Sequence, residues 1–223
     1  MRTVRIEPLS SSGLRSLIIT PESSRSDAPV LLFLHGMREA GSSPSEVPKV
    51  CIHQSPPWRA MMGRIPDALV IAPQAPANPN EETWNWRDHA TTVGHFLKET
   101  FNGRRLVATG FSRGGLGVLQ VLAAYPDLFE RWAIADPQPP HEREAAAIIS
   151  AAASRPGWLR YGTYRGRSPQ WTAFAKALEA TVSEPNRDVT SLGHGELALS
   201  AYAGDRLSAA PKQNLYEFLD IQF

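Results

Sequence analysis

The segment Gly110-Phe111-Ser112-Arg113-Gly114 has the residue types and the spacing to present a serine nucleophile. A buried-type strand precedes it and a segment of helical period follows it, which is the context that the G-x-S-x-G pattern requires. Glycines flank the serine where a Cβ would clash in so tight a turn. The serine hydroxyl then stands at a helix N-terminus, where amide N–H groups favour a developing negative charge. The pattern predicts Ser112 as the nucleophile of an acyl transfer, the alternative being a serine that only caps the helix.

A serine nucleophile needs a base, and histidine fits because its usual pKa lies near working pH. The chain has six histidines, of which His194 lies late, between two glycines and after a predicted short strand. The order nucleophile, acid, histidine that accompanies this motif places the base there. We therefore predict His194 as the base. The other histidines are assigned to turns, loops or a helix surface: His35, His53, His89, His95 and His141.

Short β-rich runs alternate with segments of helical period along the whole chain, which predicts an α/β fold with a mostly parallel central sheet and helices on both faces. The predicted strands are residues 3–6, 14–20, 30–34, 68–71, 106–109, 132–135 and 158–161, the first two joined as a hairpin around residues 10–13. The predicted helices are residues 88–100, 113–124, 142–153, 170–180 and 211–219. The proline-rich stretches 43–57 and 73–79 are expected to be loops. With no repeat or linker evident, we expect one domain over residues 1–223.

The composition favours a protein that acts on a small neutral molecule. Lysine and arginine number 23 against 22 acidic residues, for a net charge of +1, and no block of like charge predicts binding to nucleic acid or to an acidic membrane. Cys51 is the only cysteine, which excludes an intramolecular disulfide and a multi-cysteine zinc site. No leader-like or membrane-spanning apolar run is evident, so we expect a cytoplasmic protein without metal or cofactor. A homodimer is one alternative that the sequence leaves open.

Four segments resemble the α/β-hydrolase superfamily, and within it the predicted esterase and peptidase group related to dienelactone hydrolases, feruloyl esterases and polyhydroxybutyrate depolymerases. They are His35-Gly36 with Glu39 and Gly41, residues 71–76 followed by Trp84 and Trp86, the turn at Ser112, and the glycine-flanked His194. The resemblance covers nearly the whole chain. It implies the α/β-hydrolase fold, without a large cap domain because residues 137–157 have room only for a loop and one helix.

The resemblance also implies a set of residues around the nucleophile. The backbone N–H groups of Met37 and Arg113 would form the oxyanion hole. Arg38 departs from the group, where glycine is common, and would narrow or charge the mouth of the pocket. Trp84 and Trp86 are pocket candidates because ligands collect at that side of an open α/β sheet, although packing of their loop explains them equally well.

The acid that would orient His194 is left open by the sequence. In most members of the group it follows the strand that here ends near Gly162, but residues 163–170 contain no carboxylate. Asp136 follows the preceding strand in an Asp-Pro pair, as the acid does in some lipases, and it fits the required chain order. The alternatives are that Asp136 only starts a turn before proline, that Asp188 is the acid, or that no carboxylate is involved.

Together these residues predict a serine hydrolase that cleaves a small ester through an acyl-enzyme, with Ser112, His194 and Asp136 as its catalytic residues. Two alternatives remain. A peptidase or thioesterase would use the same residues, because specificity resides in loop shapes. A catalytically inactive hydrolase fold that serves as a binding protein would explain the empty acid position.

Overall fold

A central sheet of eight strands organises the residues that the computed structural model describes, namely 2–9, 14–22, 27–77, 85–164, 167–183, 186–203 and 214–222. The strands are β1 (Thr3–Pro8), β2 (Arg15–Thr20), β3 (Val30–Leu34), β4 (Leu69–Gln74), β5 (Leu106–Phe111), β6 (Arg131–Ala135), β7 (Gly157–Gly162) and β8 (Arg187–Thr190). Their order across the sheet is β1-β2-β4-β3-β5-β6-β7-β8. β2 pairs antiparallel with β1 and with β4, and the pairs from β4 across to β8 are parallel. The carboxyl ends of the parallel strands therefore meet at one edge of the sheet.

Helices cover both faces of the sheet, because its inner strands are buried on both sides. In β3, Val30, Leu32 and Leu34 pack into one core while Leu31 and Phe33 pack into the other. The first face carries α2 (Arg87–Thr100), α3 (Arg113–Ala124), α4 (Glu142–Ala153) and α5 (Pro169–Glu179). The second face carries a 3₁₀ segment (Pro44–Gln54), α1 (Pro56–Met61), α6 (His194–Ala203) and α7 (Leu215–Phe218).

The predicted fold class is confirmed, and α3 and α4 have the predicted bounds. The loop predicted over residues 43–57 is wrong, because Pro44 and Pro56 stand in first helical turns, where a missing N–H costs no hydrogen bond. Residues 73–74 belong to β4 rather than to a loop, since they pair with β2. A helix that the sequence did not predict begins at His194. Residues 211–213 of the predicted closing helix lie outside the described residues, and α7 covers Leu215–Phe218. The turn at residues 10–13 lies outside the described residues.

Candidate active site

The turn from β5 into α3 holds Ser112 in a conformation that side-chain-bearing residues rarely adopt, with φ 57° and ψ −121°. Ser112 N–H donates to Ala135 O at 3.1 Å, and Ser112 O accepts from the N–H groups of Leu116 and Gln138. A Cβ at Gly114 would lie 1.8 Å from Leu34 O, and one at Gly110 would lie 2.4 Å from Gly114 O. These contacts explain why the turn requires both glycines of the motif.

Three side chains from separate parts of the chain form a continuous line of contacts at the carboxyl edge of the sheet. His194 Nε2 lies 3.0 Å from Ser112 Oγ, and His194 Nδ1 lies 2.5 Å from Asp136 Oδ2. Ser112 follows β5, Asp136 follows β6, and His194 begins α6 just after β8. Asp136 is fully buried, while the His194 side chain is about one third exposed. This arrangement suits proton transfer from the hydroxyl to an imidazole that a carboxylate orients.

Asp136 is held on several sides, although its backbone φ of 43° is unusual for a non-glycine residue. Its N–H donates to Arg160 O at 2.7 Å, and Oδ1 accepts from Gly162 N–H at 3.2 Å. Oδ1 also accepts from Arg167 Nη1, and Tyr164 Oη donates to Oδ2 at 3.3 Å. Burial alone would raise the pKa of Asp136, but hydrogen bonds from His194 and Arg167 outweigh it and hold the pKa below its usual value. The carboxylate is therefore ionised at neutral pH.

Asp188, the alternative acid, takes part in a different contact. It lies on β8, and its Oδ2 is 3.3 Å from Nη1 of the buried Arg160. Among the other histidines, His89 and His95 lie on α2, and His141 directly precedes α4. Of the two candidate carboxylates, the structure brings Asp136 to His194.

His35 braces the loop that follows β3 by linking it to the end of β4. Nε2 of the buried ring accepts a hydrogen bond from the Ala75 N–H at 2.9 Å. Nδ1 therefore carries the proton and donates a hydrogen bond to Gly36 O at 2.6 Å. Burial lowers the pKa of His35 to about 4, which keeps the ring neutral. This loop carries Met37 and Arg38, both exposed beside Ser112.

A cavity of about 290 Å³ opens above Ser112. Its lining consists of Gly36, Met37, Arg38, Glu39, His53, Phe111, Ser112, His194 and Gly195. Glu39 is buried, and among the described residues its Oε2 has no hydrogen-bond partner. Burial raises the pKa of Glu39 and lowers that of His53, whose Nε2 lies 3.8 Å from Glu39 Oε1. The cavity lining thus combines apolar Met37 and Phe111 with the titratable Glu39 and His53, and the exposed Arg38 adds a positive charge.

Trp86 does not line this cavity, and its position favours the alternative that it packs in the core. Its side chain is buried in the core, with 1% of its surface exposed, and its Nε1 donates a hydrogen bond to His35 O at 3.0 Å. Gly117 of α3 leaves the space that the indole fills, since a Cβ there would lie 2.5 Å from the ring. Trp86 and Arg113 border a neighbouring cavity of about 210 Å³. Trp84 lies outside the described residues.

Three residues at the site were not assigned a role from the sequence: Arg167 beside Asp136, and Glu39 and His53 in the cavity. The sequence did contain a signal for Arg167, because the segment that lacks the usual carboxylate carries arginines at positions 165 and 167. Glu39 stood out only through the resemblance. His53 gave no signal, because the folded 3₁₀ segment brings it to the site.

No group of side chains that could hold a metal ion is found among the described residues. Of the helices described, none has the length and apolar character needed to cross a membrane. Cys51 is half-buried, and burial raises the pKa of its thiol to about 11, as expected for a structural cysteine.

The fold and this edge of the sheet define the class: the chain has the α/β-hydrolase fold. Solved structures that share it include a ferulic acid esterase, with a TM-score of 0.61 and 15% identity over 91% of this chain and 95% of the other. A predicted dienelactone hydrolase from Klebsiella pneumoniae subsp. pneumoniae has a TM-score of 0.58 and 12% identity over 99% and 96%. The thioesterase domain from the curacin biosynthetic pathway has a TM-score of 0.58 and 14% identity over 90% and 97%.

These neighbours are hydrolases, and at such identities their likeness establishes the fold. No protein-family model matches the chain, and no curated protein sequence matches it.

Proposed function

We propose that this protein is a serine hydrolase of the carboxylesterase type, which cleaves a small ester through an acyl-enzyme intermediate. The observation that carries the proposal is the line of contacts from Ser112 Oγ through His194 to Asp136. The strained serine turn supports it, because such a conformation is kept where it positions a reacting group. Esterases and other hydrolases among the structural neighbours support it as well.

In the first half of the reaction, Ser112 Oγ attacks the ester carbonyl carbon and its proton passes to His194 Nε2. Asp136 accepts the hydrogen bond from His194 Nδ1 and stabilises the imidazolium that forms. The N–H groups of Met37 and Arg113 would receive the oxyanion, since one lies in the loop after β3 and the other at the start of α3. The imidazolium then protonates the departing alcohol.

In the second half, water replaces the alcohol. His194 takes a proton from the water, which attacks the acyl carbon, and Ser112 regains its proton as the acid product leaves. Each step uses side chains and backbone amides of this chain.

The direct test is labelling by a fluorophosphonate, which reacts with an activated serine. Wild-type protein should be labelled at Ser112, as located by mass spectrometry of the peptides, and should hydrolyse p-nitrophenyl acetate. Ser112→Ala should lower hydrolysis by on the order of 10⁶-fold without unfolding the protein, because the three residues act as a unit. Ser154→Ala, at the end of α4, is the matched control and should keep both labelling and activity. Residual activity above about one tenth in Ser112→Ala would refute the assignment.

A thioesterase or peptidase is the second candidate, favoured by the thioesterase domain among the structural neighbours. Rates on matched ester, thioester and amide substrates separate these activities. An inactive binding protein was suggested by the empty acid position after β7, and the contact between Asp136 and His194 argues against it. Absence of labelling in folded wild-type protein would favour the inactive binding protein.

A further inference from the structure

The segment after β7 places a cation against Asp136, in the region where related proteins usually carry the acid. Arg167 Nη1 donates to Asp136 Oδ1, while Oδ2 faces His194. The two side chains are 2% and 0% exposed, so water screens their interaction little. Asp136 is thus shared between a permanent cation and the imidazole.

Three aromatic rings surround the Arg167 guanidinium. Its central carbon lies 5.4 Å from the ring centroid of Tyr161, 5.7 Å from that of Tyr164 and 5.2 Å from that of Trp171. Cations are attracted to the faces of such rings, most strongly where water is excluded. Nε and Nη2 of Arg167 have no hydrogen-bond partner among the described residues, within which Asp136, the three rings and a hydrogen bond with Tyr164 stabilise the charge.

We propose that Arg167 is a positioning residue of the active site, which anchors Asp136 through Oδ1 and offsets part of its negative charge. The proposal rests on the proposed function. Anchoring Oδ1 orients Oδ2 toward His194 Nδ1, which holds the imidazole in the tautomer that can accept the serine proton at Nε2. Offsetting the charge weakens the attraction of Asp136 for a positive charge on the imidazole. Removing the Arg167 charge should therefore change the acidic limb of the pH profile.

Other charged and titratable groups also face this cluster. They are Arg38 and Glu39 after β3, His53 of the 3₁₀ segment, Tyr164 after β7, Glu196 in the first turn of α6, and Glu179 of α5 through its contact with Tyr161. None of these groups is a permanent cation in contact with Asp136. The experiment therefore removes the charge of Arg167.

The experiment measures the pH dependence of the second-order rate of fluorophosphonate labelling at Ser112, together with kcat and KM for a p-nitrophenyl ester. Arg167→Gln keeps a hydrogen-bond donor near Asp136 but removes the charge. It should move the acidic limb of the labelling profile to higher pH by about one unit, because it removes a buried positive charge that disfavours a second positive charge beside Asp136. It should lower kcat by about tenfold with little change in KM. Arg167→Lys restores the charge and should return the limb toward its wild-type position.

Arg160→Gln is the matched control, because it removes another buried arginine that pairs with Asp188 instead of Asp136. It should lower the melting temperature without moving the acidic limb. If Arg167→Gln does not fold, Arg167→Met, which fills the space between the three rings, takes its place in the same measurement.

The outcomes distinguish this proposal from the function on which it rests. If wild-type protein is neither labelled nor active, the proposed function fails and this inference fails with it. If wild-type protein is labelled but the acidic limb stays in place in Arg167→Gln or Arg167→Met, only this inference fails. Failure of both uncharged variants to fold, with Arg167→Lys folded and active, would also overturn it in favour of a purely structural ion pair.

Discussion

At the scale of single residues, Asp136 is the assignment most open to a kinetic test. Asp136→Asn should lower kcat by roughly 10⁴-fold with little change in KM, because the lost interaction with the imidazole is made mainly in the transition state. Steady-state kinetics on a p-nitrophenyl ester would measure it, with thermal unfolding recorded alongside because Arg167 loses its charged partner.

Asp188→Asn is the control for this change. Asp188 contacts Arg160 and is the alternative acid, so its loss should affect kcat only mildly. Near-full activity in Asp136→Asn, or a collapse of kcat in Asp188→Asn, would show that the acid has been misassigned.

At the scale of elements, His35 ties the loop after β3 to the end of β4, and its titration should appear in the stability of the protein. The folded-state pKa of about 4 lies below the unfolded value of 6.5, so the unfolded chain takes up the proton more readily. The contribution of the neutral ring is complete above about pH 6.5 and is lost as the pH falls toward 4, by about 3 kcal/mol in total.

Urea unfolding of wild-type protein and of His35→Gln between pH 8 and pH 4 would measure this loss as a difference curve. The wild-type free energy of unfolding should fall more steeply than that of the variant over this window. His95→Gln, an exposed substitution on α2, is the matched control. Parallel curves for wild-type protein and His35→Gln would contradict the buried, neutral histidine.

At the scale of the whole molecule, the site carries no large cap. Between β6 and β7 the chain contains only a loop and α4, and the cavity above Ser112 measures about 290 Å³. We expect acetyl and butyryl esters to react faster than esters of about twelve carbons, because a long tail finds no cap to bury it. Initial rates on a p-nitrophenyl ester series would measure this preference. A rate that rises steadily with chain length would contradict this expectation.

The sequence by itself predicted the features that depend on local geometry. The turn at Ser112 could be recognised because its glycines avoid steric clashes with residues a few positions away and with the adjoining strand. The strands and most helices could be predicted because burial on one or both faces leaves a periodic pattern in the chain. The 3₁₀ segment could not, since a proline-rich stretch has the composition of a loop as well as of short helical turns.

The tertiary structure alone decided which distant side chains meet. Asp136 lies 58 residues from His194 along the chain, and Asp188 lies only six, yet the pairing of β6 with β5 and β7 brings Asp136 to the imidazole. Trp86 was left open between pocket and core until the space at Gly117 placed it in the core. Arg167 could be seen as a cation where an acid was expected, but its pairing with Asp136 depends on how β6 and β7 lie side by side. Sequence patterns record the environment of each element, whereas contacts between elements arise from the order of the strands in the sheet.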